Sequence, residues 1–268
     1  MVWAILILDQ LFWSIPMPFV ATVVWASARA IYFCLGKQVP AWLHTPWDCL
    51  CLMYLRGHGI RIIDTDGDGA NTLLVPGIME FRGAVLANHR SWGDFVMDPY
   101  QTHCAVVARI AAVVACLGGG LLGLLCDRII VINRGRTSRD ALKAKCARHD
   151  RYLIFPEGTR RASALDKDSP APLKVGGLKN VWEEKLAALI VITVNKEFVV
   201  DEKRGVVSCS TTLFRARHAP ILAEEYPSLD TFVDAVEKAW QATWHQAYEL
   251  RRKHDGSLAG SDEMRTLV

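Results

Sequence analysis

The sequence predicts an α/β domain behind an apolar N-terminal segment. From residue 57 onward, short apolar runs alternate with helix-like stretches, the pattern of strands covered by helices. Several of the middle runs end in a polar cluster, the place where ligands of such sheets bind. The composition agrees: 268 residues, 51% apolar and 22% charged, suit one large domain with a sizeable core and exclude disordered, fibrous and low-complexity classes. A net charge of +3 is too small to mark a nucleic-acid surface. The eight Cys form no CxxC pair and no zinc spacing, so they read as thiols kept reduced, in the cytosol or on a cytosol-facing membrane.

The first element is the stretch 10–28, which carries no charge. As a helix it would reach roughly 27 Å, close to the hydrocarbon thickness of about 30 Å. Pro16 and Pro18 place the start of a continuous helix near Pro18, with Arg29 near its end. No basic region precedes the stretch, so a cleaved signal peptide is not expected. A second helix is punctuated by Thr45 as N-cap, Pro46 at the first position, Asp48 completing a capping box and Gly57 as stop. Residues 1–56 are therefore expected to form a helix pair that embeds in or lies along a membrane, with Trp3, Trp13, Trp25, Trp42 and Trp47 at the interface. The alternative is a buried hairpin of a soluble domain. Arg29, Lys37, Arg56 and Arg61 place the rest of the chain on the cytosolic side. A further apolar run, 105–126, is broken by Arg109 and three consecutive glycines, which argues against a span.

Strands are expected at 60–63, 84–87, 105–107, 129–132, 152–155, 189–194 and, more polar, 206–213. A last helix covers about 229–253, with Phe232, Val236, Trp240, Trp244 and Leu250 near helical spacing. The expected organisation is a main domain over 57–254 and a loose tail at 255–268.

Two motifs have ordinary readings. Asp64 to Gly69 matches the first half of an EF-hand loop, but the twelfth position is Val75 rather than Glu, so a polar turn is expected. Gly118, Gly120 and Gly123 carry dinucleotide-fingerprint spacing without the acidic residue about twenty positions on, which leaves a tight small-residue bend. The stronger signal is Asn88-His89-Arg90-Ser91-Trp92-Gly93-Asp94 directly after a strand. There His89 reads as a base oriented by Asp94, although Ser91 and Asp94 also read as a capping box. Phe155-Pro156-Glu157-Gly158-Thr159-Arg160 is a second strand running into a polar turn. Arg134, Arg160 and Arg109 make a candidate anion clamp.

Over residues 57–194 the sequence resembles the glycerolipid acyltransferases typified by 1-acyl-glycerol-3-phosphate acyltransferases. Asn88-His89-x-x-x-x-Asp94 is similar to the first motif of that family, Ile132-Asn133-Arg134 to the second and Phe155 to Arg160 to the third. The fourth, a proline-bearing strand, appears as Leu189-Ile190-Val191-Ile192-Thr193 without proline. The resemblance implies a mixed sheet flanked by helices and a membrane-embedding N-terminal helix pair. It also implies acyl transfer from acyl-CoA or acyl carrier protein to the hydroxyl of a lysophospholipid. His89 would be the general base and Asp94 its partner. Arg134, Glu157, Gly158, Thr159 and Arg160 would bind the acceptor, with Arg109 where the family often has Lys. The chemistry calls for no metal or redox cofactor, acyl-CoA being a co-substrate. Glycerol-3-phosphate or another lysophospholipid as acceptor, a non-catalytic membrane lipid-binding module, and a soluble dinucleotide-binding protein are the competing readings.

Overall fold

The computed structural model describes residues 2–37, 44–65, 73–133, 135–160, 170, 172–201 and 206–265. Helices α1 (Val2–Ser14) and α2 (Pro16–Cys34) meet at Ile15. The two prolines fall in the first turn of α2, where backbone N–H groups have no helical partner in any case, so the helix begins at Pro16 rather than Pro18. Met17 and Ala21 are buried against the domain, whereas Phe19, Val23, Val24, Ile31 and Phe33 are exposed. Among the described residues, one helical stretch, Ile7–Cys34, is long and apolar enough to cross a membrane.

Helix α3 (Pro46–Gly57) has the expected punctuation: the Thr45 hydroxyl accepts from Asp48 N (3.2 Å), and Asp48 Oδ2 accepts from Thr45 N (3.1 Å). It is not the second half of a membrane-embedding pair. Trp47, Cys49, Leu50, Cys51, Tyr54 and Leu55 are all buried, in one cluster with Met17, Ala21, Ile62, Met97, Tyr100 and Leu213. Apolar density at 49–55 serves the domain core, whereas among the described residues Ile7–Cys34 carries an exposed apolar surface.

The strands are β1 (Arg61–Asp64), β2 (Gly83–Ala87), β3 (Ala105–Arg109), β4 (Ile129–Ile132), β5 (Arg151–Ile154) and β6 (Ala187–Val194). After a ribbon of β7 (Val200–Asp201) and β8 (Val206–Val207) come β9 (Thr212–Arg217) and β10 (Ile221–Leu222). The main sheet runs β1-β9-β6-β2-β5-β3-β4, with β10 beside the start of β6. Pairing is parallel from β6 through β4, while β9 joins β6 antiparallel and β1 joins β9 parallel. The sheet is therefore mixed and mostly parallel. The strand expected at 206–213 is two strands, because residues 208–211 turn the chain from the ribbon into the main sheet.

Both faces are covered, which is why the central strands are apolar without alternation. Leu86, Ile190, Ile192 and Phe214 pack under Phe232, Val236, Trp240 and Trp244 of α10 (Leu229–Arg265), a helix that continues well past residue 253. Val85, Leu153 and Val191 face the other way, toward Val75, Ile78 and Phe95. That side also carries α4 (Asp94–Thr102), α5 (Ile110–Ala115) and α6 (Leu117–Leu125), while α7 (Arg139–Cys146) and α8 (Val175–Glu183) complete the layers. The 105–126 run is thus a strand and two short helices. A Cβ on Gly118 would stand 2.5 Å from Ser14 O, and one on Gly120 would stand 2.1 Å from Val113 O. The glycines let α6 approach α1 and α5 closely; they lie inside the helix, so the bend expected at them is not there, and the chain turns at Cys116 instead.

Candidate active site

Four parallel strands, β2, β5, β3 and β4, run into the loops that carry the expected site residues. At the end of β2, Asn88 is buried and tied to β6 by a reciprocal pair: its Nδ2 donates to Thr193 O and its Oδ1 accepts from Thr193 N, both at 2.9 Å. A proline at position 193 would have no N–H to give. This clamp fixes the backbone from which His89 projects.

His89 Nδ1 lies 2.9 Å from Asp94 Oδ2. Its ring stacks on Phe155 at 4.4 Å and meets the edge of Phe95 at 5.5 Å. The His89 backbone N–H donates to Glu157 Oε2 at 2.8 Å, which joins the first and third motifs. Asp94 is fully buried at the first position of α4, whose N-cap is Gly93, so the capping box expected from Ser91 is not formed: the Ser91 hydroxyl donates to the carboxylate instead of accepting from Asp94 N. Besides His89, that carboxylate accepts from Arg90 N, Ser91 N (3.0 Å) and Ser91 Oγ (3.3 Å). Burial pushes this carboxyl up, but the Lys196 ammonium, the His89 hydrogen bond and the Arg90 N–H outweigh it and hold the group at about 2. An ionised Asp94 only accepts, so Nδ1 must donate and Nε2 is left as the basic nitrogen.

Lys196, absent from the expected set, lies directly beneath. It follows Asn195, which takes a left-handed backbone (φ 73°), and begins α9 (Lys196–Val199). Its fully buried ammonium donates to Asn88 O (2.5 Å) and Asp98 Oδ2 (2.7 Å) and stands 3.6 Å from Asp94 Oδ1. Burial pulls the amine down, yet Asp94 and Asp98 together raise it and keep it charged. Asp98, one turn beyond Asp94 on α4, is pushed up to about 7 by burial and by Asp94, against the pull of Lys196. The signal for Lys196 was a charged residue ending an apolar run, the same signal that marked the other site strands.

His89 lines an open cavity of about 400 Å³ together with Trp92, Arg109, Gly158, Thr159 and Arg160. The Arg160 guanidinium sits over the Trp92 ring at 4.6 Å. Gly158 has φ 70°, which turns the chain after β5, and the Lys174 side chain covers it. The Glu157 carboxylate, buried and turned to His89 N, lines a neighbouring cleft with Arg139 and Lys174. An apolar chamber adjoins the His89 cavity, sharing Trp92, Phe95, Ala108 and Ala112 and walled by Trp13, Trp47, Leu50 and Tyr54. Arg134 lies outside the described residues, as do positions 66–72 of the EF-hand-like turn. The first acid of that turn, Asp64, receives both Nε and Nη2 of buried Arg215 at 2.7 Å. No group of three His, Cys, Asp or Glu that would hold a metal occurs among the described residues.

The arrangement could serve proton abstraction: an imidazole on an open cavity, a buried carboxylate bonded to its Nδ1, and arginines on the same cavity. No family model matches the chain, and no curated protein matches it. Among solved structures it is similar to the crystal structure of the 1-acyl-sn-glycerophosphate (LPA) acyltransferase PlsC from Thermotoga maritima. The TM-score is 0.57 and the identity 14%, over 92% of this chain and 98% of that one. The likeness spans nearly the whole of both molecules and is one of fold.

Proposed function

We propose, from this acyltransferase fold and its site, that the chain transfers a fatty acyl group from acyl-CoA or acyl carrier protein to the sn-2 hydroxyl of 1-acyl-glycerol-3-phosphate, giving phosphatidic acid. The observation that carries the reading is the His89–Asp94 pair opening on a cavity whose walls hold Arg109 and Arg160. An alcohol is a weak nucleophile at neutral pH. His89 Nε2 takes the hydroxyl proton as the oxygen attacks the thioester carbonyl, and the imidazolium, supported by Asp94, returns it to the leaving thiolate. The arginines, with Arg134 and the Gly158–Thr159 turn, receive the acceptor's phosphate. Glu157 holds His89 in place from behind.

The exposed apolar stretch Ile7–Cys34 supports a membrane setting, with the catalytic domain on the cytosolic face where the basic residues lie. An acyl-transfer assay of the purified protein, across a panel of lysolipid and glycerol-3-phosphate acceptors and both donor types, tests the reading. Lysophosphatidic acid should be the best acceptor. A better rate with glycerol-3-phosphate or a choline lysolipid moves the assignment to that acceptor, and binding of lipid without turnover makes the chain a lipid-binding module.

A further inference from the structure

We propose that Lys196 is a positioning residue for the His89–Asp94 pair, its buried ammonium dividing one positive charge between Asp94 and Asp98 and so setting how strongly His89 holds a proton. The inference rests on the acyltransferase reading of the same site. Three observations carry it. Lys196 is fully buried and touches neither cavity at His89, so it does not meet substrate. Its three contacts are the carbonyl of Asn88, next to His89, and the carboxylates of Asp94 and Asp98. Burying a lysine between two acids is costly unless its geometry is fully satisfied, and a plain structural tie of α9 to α4 would need no charge.

The charge balance gives opposite signs for the two ends of the cluster. Replacing Lys196 by Met leaves the Asp94 carboxylate uncompensated, which stabilises the His89 imidazolium. Replacing Asp98 by Asn turns the whole ammonium charge on Asp94, which destabilises it. The surrounding charges stay the same in both variants. Arg90 and Glu197 flank Lys196 and Asp94, Arg215 of β9 faces Asp98, Tyr54 of α3 faces Asp94, and Glu157 holds the His89 backbone.

The test is the acidic limb of kcat/KM against pH, which reports the free enzyme's base. Lys196→Met should move the limb up by about one pH unit, with roughly a tenfold loss of kcat/KM below it. Asp98→Asn should move it down by less, because Asp98, pushed up to about 7, carries its charge only in part below that pH. The double variant Lys196→Met/Asp98→Asn removes the ammonium and its partner together, protects the fold if the single change does not, and should still move the limb up. Limbs that stay in place, or that move the same way in both single variants, overturn the proposal. The imidazole resonance of His89, identified by its loss in His89→Ala, should titrate with the same opposite shifts in the same full-length variants. That measurement needs no turnover, so a wild type inactive on every acceptor defeats the acyltransferase reading and leaves this one decided by the resonance.

Discussion

His89 depends on contacts from three different segments: Asp94 on the helix that follows, Glu157 beyond β5 and the Asn88 clamp to β6. His89→Ala removes the base and its bond to Asp94 but keeps the backbone bond to Glu157 and the Asn88 clamp. Turnover should fall by about a hundredfold to ten-thousandfold while the protein remains folded. Asp94→Asn is a harsher change than its conservative shape suggests. With the amide oxygen in the Oδ2 place, where His89, Arg90 N and Ser91 N donate, its NH2 faces the buried Lys196 ammonium, which loses a carboxylate, so the change should lower the melting temperature as well as the rate. Thermal denaturation of the two variants side by side separates these outcomes. Arg134→Ala and Arg160→Ala should each raise KM for lysophosphatidic acid and narrow its lead over lysophosphatidylcholine, with little change in the acyl-CoA constant. Lys at either position should rescue only in part, because a point charge lacks the planar fork. Equal weakening of both acceptors would assign these arginines to the scaffold. The His89–Asp94 pair was legible in the sequence because both residues sit in one short loop. Lys196 was not, because its relation to His89 exists only once β6 lies beside β2.

At the scale of elements, the buried strands were readable from their unbroken apolar runs, and helix α3 from its capping box. What the runs did not reveal is which apolar helix faces the domain. Helix α3 and the Ile7–Cys34 stretch are both rich in apolar residues, but α3 turns Leu50, Cys51 and Leu55 into the core, whereas the stretch adds Met17 and Ala21 and leaves Phe19, Val23, Val24, Ile31 and Phe33 exposed. Deletion of residues 2–56 should therefore cost the fold itself and yield aggregated protein. A deletion of 2–43, which keeps Thr45 and its helix, should retain the far-ultraviolet spectrum of the domain while losing sedimentation with vesicles. Val23→Glu/Val24→Glu, on the exposed side of α2, should reduce vesicle sedimentation without altering the melting temperature, and normal sedimentation of that variant would remove α2 from the membrane contact. The two-residue strand β7 went unread and β8 was merged with β9 in one expected strand, since runs of that length carry no periodicity.

For the molecule as a whole, the buried acids give stability a pH dependence that can be signed. Asp94 is held at about 2, below its ordinary value of 3.8, so its contribution is complete above pH 4 and drains away as pH falls toward 2, on the order of 2 kcal/mol. Asp98, pushed up to about 7, acts the other way: the unfolded chain releases that proton first, and stability declines as pH rises from about 4 to about 7. Chemical denaturation at several pH values should show the acid-side loss shrink in Asp94→Asn and the neutral-side decline disappear in Asp98→Asn. The clamp between Asn88 and Thr193 joins residues 105 apart in the chain, and Lys196 reaches back 108 residues to the Asn88 carbonyl. A growing chain that has emerged only as far as residue 186 already holds His89, Asp94 and the turn after β5, yet lacks the strand that aligns them. Closing so long a loop is slow. Refolding from denaturant should therefore restore helical signal well before activity, the last kinetic phase being the docking of β6 against β2.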